Sequence, residues 1–189
     1  MRRQRGGAAL AALVLVAGLG ACAGSEDRGP SGAGDPDGAD TRLERQRDEV
    51  RAAARTLLRG AEQRLAGTTT QSAGGWRGCE SAGIEEYRNF RYLAQARVDA
   101  APGAAVPPLT ALGTVLQDAG FTPGEVGPGP GGGASASLAG THGDVTAVFS
   151  TAGGPWVGLD AYGPCIDVPE DERDDWLRRD EPTPGLLRR

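Results

Sequence analysis

All nine aromatic residues of this 189-residue chain (three Trp, three Tyr, three Phe) fall between Trp76 and Trp176. A packed core needs bulky apolar side chains, so it has to be assembled within that window. Cys79 and Cys165 lie near its two ends. An isolated cysteine pair outside the cytoplasm forms one disulfide, and neither residue has the C-x-x-C spacing of redox or metal chemistry. Bridging them closes 86 residues. In the chain-entropy picture a loop of that size contributes about 4–5 kcal/mol.

Elements can be placed along and around this window. Thr41-Arg42-Leu43-Glu44 has the spacing of a capping box, and Val50, Ala54, Leu57, Leu58, Ala61 and Leu65 recur at helical spacing. They predict a helix from Thr41 to Ala66 that docks its apolar stripe on its own domain. Gly74 to Gly83 reads as a turn region around Trp76. Arg88 to Asp99 alternates as a half-buried strand, with Phe90, Tyr92, Ala94, Ala96 and Val98 on one side. Pro107 and Pro108 suit a helix start, Leu109, Leu112, Leu116 and Ala119 its buried stripe, and Gly120 its stop. Thr122 to Gly133 reads as a Gly/Pro loop. Ala134 to Ala139, Val145 to Ser150 and Trp156 to Tyr162 then form three strands, turned by His142-Gly143-Asp144 and Ala152-Gly153-Gly154-Pro155. Pro169, the acids after it, and Arg178 and Arg179 match both ends of a last helix. The expected fold is α+β: a single, mainly antiparallel four-stranded sheet with helices packed on one face, in the order α-β-α-β-β-β-α, and one disulfide.

The amino terminus follows other rules. Arg2, Arg3 and Arg5 precede an uninterrupted run of Ala, Leu, Val and Gly from Ala8 to Leu19, which is the layout of a secretory signal peptide. That run is shorter than the ~20 apolar residues that span a bilayer. It ends in Leu19-Gly20-Ala21-Cys22, and this motif resembles the lipobox of bacterial lipoproteins. The resemblance implies cleavage before Cys22, lipid on its thiol, and residence on the outer face of the cytoplasmic membrane. The expected division is a signal peptide over 1–21, the lipidated cysteine and a tether over 22–40, a domain over 41–180 and a tail over 181–189. Two or three acyl chains hold a protein stably at a membrane. The Gly, Ser, Asp and Pro that follow Cys22 have nothing to bury and make a flexible spacer.

Charge and residue types remove whole classes of function. The net charge is −5, and cleavage before Cys22 takes away three arginines and no acid, leaving −8. That balance argues against nucleic acid as a partner. The chain has no lysine, which excludes Schiff-base and phosphate-loop lysines. With His142 alone, a His-x-x-x-His zinc pair is excluded, and His142 reads as part of a solvated turn. The G-x-G-x-x-G match at Gly127 to Gly132 follows a helix instead of a strand, so no dinucleotide cofactor is implied. The acids Asp167 to Asp175 lack EF-hand spacing and read as the capped start of a helix, not a metal site. No catalytic residue is nominated.

Three aromatics remain as a candidate binding surface, because glycine surrounds each: Trp76, Trp156 and Tyr162. Trp156 and Tyr162 alternate with Val157, Leu159 and Ala161. One of those two faces is core, and the other either lies under a helix or exposes its aromatics. The pattern of Trp76-x-x-Cys79 before a long strand, with Trp156-Val157-x-Leu159 running into Gly163-Pro164-Cys165, resembles small actinobacterial lipoproteins of the mycobacterial LppA-like kind. The abundance of Arg, Gly and Ala is similar to actinobacterial secreted proteins as well. This resemblance implies a one-sheet α+β domain and brings no activity with it. The expectation is a non-enzymatic envelope lipoprotein that binds an envelope protein or a cell-wall component. The alternative is a small carboxylate-dependent hydrolase acting at the wall, which needs two acids converging in a cleft.

Overall fold

The computed structural model describes residues 38–79, 88–103, 109–129, 135–181 and 185–186. Cys22, the signal segment, most of the tether, and Pro107 and Pro108 lie outside the described residues. The elements are α1 (Ala39–Leu65), β1 (Thr68–Gly78), β2 (Asn89–Asp99), α2 (Leu109–Asp118), β3 (Thr122–Pro128), β4 (Ala136–His142), β5 (Val145–Thr151), β6 (Trp156–Tyr162), β7 (Ile166–Asp167) and α3 (Arg173–Arg178), the last entered through a 3-10 turn at Glu170–Glu172. The strands form one antiparallel sheet in the order β1-β2-β6-β5-β4-β3, with β7 pairing β2 beyond the end of β6.

Seven strands replace the four expected. The three anticipated hairpin strands and the long strand β2 occupy the middle of the sheet. Two of the additional strands, β1 and β3, are its edges. An edge strand pairs on one side only and can dispense with the apolar alternation that marks a central strand. In β1, Gly75 and Trp76 are the buried residues, so Thr68 to Gly78 carries no period-two signal. β3 contains Pro123 and Pro128, and its register with β4 shifts between Pro123 and Val126. The seventh, β7, is two residues long.

Among the described residues, the three helices pack on the sheet face that holds the core. α1 buries Leu43, Val50, Ala54, Leu57, Leu58, Ala61 and Leu65 across β2 and β6. α2 sets Leu116 beside Gly140 of β4, and α3 sets Trp176 against Phe90 and Trp76. The start of α1 corrects the sequence expectation. The N-cap is Gly38, Thr41 lies inside the helix, and Glu44 pairs with Arg47 at 2.6 Å instead of closing a capping box. The helix ends with Ala66 in the left-handed conformation, φ 45°, which turns the Gly67 N–H back onto the carbonyl of Glu62 at 2.9 Å.

Polar groups also enter the interface between α1 and the sheet. Gln46 accepts the Tyr92 N–H at 2.6 Å and donates to the Pro164 carbonyl at 2.7 Å, so one amide joins α1 to β2 and to the segment after β6. Gly163 and Gly74 make this possible: a Cβ at either would collide with Gln46 or with the Tyr92 hydroxyl. Arg51 is 5 % exposed. Its guanidinium reaches the Tyr92 hydroxyl at 3.1 Å, the Glu181 carboxylate at 3.3 Å and the Gly185 carbonyl at 3.1 Å. Arg55 holds the Leu186 carbonyl at 2.9 Å, and the Leu186 side chain is fully buried. The segment after α3 therefore folds back onto the domain at these residues, although its sequence reads as a tail.

The Cys79–Cys165 disulfide forms, with Cα atoms 6.1 Å apart. It joins the β1–β2 connection to the β6–β7 connection. Cys79→Ser should lower the melting temperature by roughly 10 °C under oxidising conditions. A thermal melt followed by circular dichroism, with and without reductant, measures this; an unchanged melt would deny the bridge a stabilising role. A second prediction concerns alkaline pH. Burial pushes the Tyr92 phenol up to about 12. In the unfolded chain a tyrosine ionises near about pH 10, so above that pH the unfolded state sheds its proton first and stability declines. The contribution is complete below about pH 10 and falls by roughly 2–3 kcal/mol as pH rises to 12. Urea unfolding across that range should show the slope in the native protein and its loss in Tyr92→Phe.

Candidate functional site

Alternation along β2 and β6 constructs a second, solvent-facing surface from the residues that the core does not use. On β2 the inward set is Phe90, Tyr92, Ala94 and Val98; Arg91, Leu93, Gln95, Arg97 and Asp99 point the other way. On β6 the inward set is Val157, Leu159 and Ala161, which leaves Trp156, Gly158, Asp160 and Tyr162 outward. Register brings the two outward sets together: Asp99 faces Trp156, Gln95 faces Asp160, and Leu93 faces Tyr162. Beyond β6 the surface continues through Thr146, Val148 and Ser150 of β5. Among the described residues no helix packs on this face. The alternative in which Trp156 and Tyr162 lie under a helix is therefore not the one adopted.

Both aromatics are covered by arginine. The Arg97 guanidinium carbon sits 4.8 Å from the Trp156 ring centre, and that of Arg91 sits 4.4 Å from the Tyr162 ring centre. Arg97 is itself oriented, because its Nε and Nη2 donate to one Asp99 oxygen at 2.8 and 2.6 Å. Those bonds, followed by one from the Thr70 hydroxyl, hold the Asp99 carboxyl below its usual range. At the centre, Gln95 donates to Asp160 at 2.9 Å. Tyr162 follows Trp156 by six positions, so the stacked pairs stand roughly 20 Å apart along the strand.

This surface can stack a planar or apolar group and hydrogen-bond a polar one. Its acids are Asp99, held by Arg97 and Thr70, and Asp160, held by Gln95. Such an arrangement favours recognition over proton transfer.

Trp76 belongs elsewhere. It is 7 % exposed and lies on the helix-covered side, 5.7 Å from the Tyr92 ring and 5.5 Å from the Trp176 ring. Arg47 and Arg179 approach its faces at 5.9 and 5.5 Å, and Arg179 also caps Trp176 at 4.0 Å. Asp40 and Glu44 hold Arg179 in place at 3.2 and 3.7 Å. The three candidate aromatics therefore divide into one core residue and two surface residues. Arg91, Gln95, Arg97 and Asp160 were not singled out from the sequence; their signal was the alternation of β2 and β6 read from its polar side.

The chain matches no family model, no curated protein and no solved structure. Its functional reading rests on its own residues. Trp76→Ala should cost about 3–5 kcal/mol, as large core truncations do, whereas Trp156→Ala should cost about 1 kcal/mol from its lost arginine contact. Denaturant titration of the two variants separates them, and equal losses would mean that Trp156 is a core residue too.

Proposed function

We propose that the chain is a lipoprotein held by Cys22 at the outer face of the cytoplasmic membrane, whose domain binds an envelope protein or a cell-wall component without chemical conversion. One observation carries the binding role: among the described residues the sheet gives one face to the three helices and no helix packs on the other, where Trp156 and Tyr162 lie under arginines. An aromatic surface of that kind is unusual on a protein that meets only water. The Arg-led apolar segment and the Leu19-Gly20-Ala21-Cys22 motif support the anchor.

The test is crosslinking in intact cells, comparing the native protein, Cys22→Ser and the double variant Trp156→Ala with Tyr162→Ala. Cys22→Ser should lose palmitate incorporation and leave the membrane fraction. The double variant should stay lipidated and folded, yet recover its crosslinked partner at least tenfold less. Retention of that partner by the folded double variant would remove the outer face from the interaction. Membrane retention of Cys22→Ser would remove the lipid anchor.

A further inference from the structure

On the helix-covered side, the β4–β5 turn, α1 and the end of α2 enclose a groove of about 650 Å³. Its floor is apolar: Ala53 from α1, Phe121 at 4 % exposure and Val145 at 6 %. Its rim carries Glu49 from α1 with His142 and Asp144 from the turn. The imidazole is fixed in place. Its Nδ1 lies 2.8 Å from the Gly120 carbonyl, and its ring centre is 5.5 Å from that of Phe121. A carbonyl can only accept, so Nδ1 carries a proton, and in the tautomer protonated there Nε2 is the acceptor.

The electrostatics are one-signed. Both charged residues lining the groove, Glu49 and Asp144, are acids, in a chain with 20 arginines. Both are exposed, and neither pairs with a described residue. They also line an adjoining depression beside the disulfide, where Arg42 and Arg45 lie. A third depression opens beyond Thr56 and Ala119, and Arg59, Arg64 and Asp118 line it. The acidic groove therefore lies between two depressions in which arginines stand beside acids. A metal ion does not suit the rim: among the described residues, no three His, Cys, Asp or Glu side chains gather closely enough to hold one.

We infer that this groove binds the side chain of an arginine presented by a partner, its methylene stem on Phe121, Val145 and Ala53 and its guanidinium between Glu49, Asp144 and His142. A guanidinium carries five N–H donors in a planar fork and has an aliphatic stem that prefers an apolar floor. The groove offers the complement: a hydrocarbon floor and a rim of acceptors. This site is independent of the outer sheet face and survives the failure of that reading.

His142 is the one histidine of the chain, so it provides a single-signal reporter. The full-length protein, labelled with 13C at histidine and held in non-ionic detergent, is titrated with N-acetyl-arginine amide and separately with N-acetyl-citrulline amide. Citrulline keeps the shape of arginine and lacks the charge. The arginine probe should shift the imidazole resonance saturably in the millimolar range, and the citrulline probe should bind at least fivefold more weakly. Glu49→Gln and Asp144→Asn should each weaken the arginine probe at least fivefold without altering the melting temperature. Trp156→Ala should leave the titration unchanged, which separates this site from the outer face. Equal binding of the two probes, no saturable shift, or unaltered binding by both acid variants would each overturn the assignment.

Discussion

Arg51 sits midway along α1 beside Val50 and Ala54 and opposite Tyr92, in surroundings where an uncompensated charge would cost several kcal/mol. Its requirements organise much of what lies around it. Three partners come from distant parts of the chain: a hydroxyl from β2, a carboxylate from Glu181 and a backbone carbonyl from Gly185. The last two lie beyond α3, so satisfying one buried guanidinium draws the end of the described chain back under α1. Leu186 then fills the adjoining space, and its N–H reaches the Ser72 hydroxyl of β1 at 3.3 Å. The helix, the second strand, the edge strand and the final segment become interdependent through a single charge. Gln46, one turn and a half earlier on α1, serves the neutral counterpart of this role by bonding Tyr92 and Pro164.

Arginine also accompanies every aromatic residue that could have been a site. Arg47 and Arg179 cover Trp76, Arg179 covers Trp176, Arg97 covers Trp156, and Arg91 covers Tyr162. A planar guanidinium stacks where an ammonium would only point, and this chain has no lysine to compete. The same contact serves two ends. Around Trp76 and Trp176 it seals the edge of the core, because Asp40 and Glu44 hold Arg179 over both rings. On the open face it sets the rings of Trp156 and Tyr162 in fixed surroundings before any partner arrives, which reduces the ordering cost of recognition.

The legible and illegible parts of the fold divide along the sheet. Central strands are squeezed between two neighbours and a helix layer, so β2, β5 and β6 must alternate and their sequences show it. The edges β1 and β3 answer to one neighbour each and tolerate Gly, Pro and Thr, which read as turns. The Thr41-x-x-Glu44 spacing illustrates the opposite error. A local pattern suggested a cap, yet the helix takes in Thr41 and the two residues before it, and Glu44 found better use in pairing with Arg47 and Arg179.

By itself the order of residues determined the α1 stripe, the pairing of Cys79 with Cys165, the central strands and the side of β6 on which Trp156 and Tyr162 lie, because each depends on periodicity or on counting. Only the tertiary structure decided which of those two sides meets the helices, why Trp76 parts company with the other aromatics, and how Glu49, His142 and Asp144 come to share one groove. Those outcomes depend on which distant elements pack together. Such packing is settled by long-range complementarity of shape and charge, above all around Arg51, and no local pattern of residues encodes it.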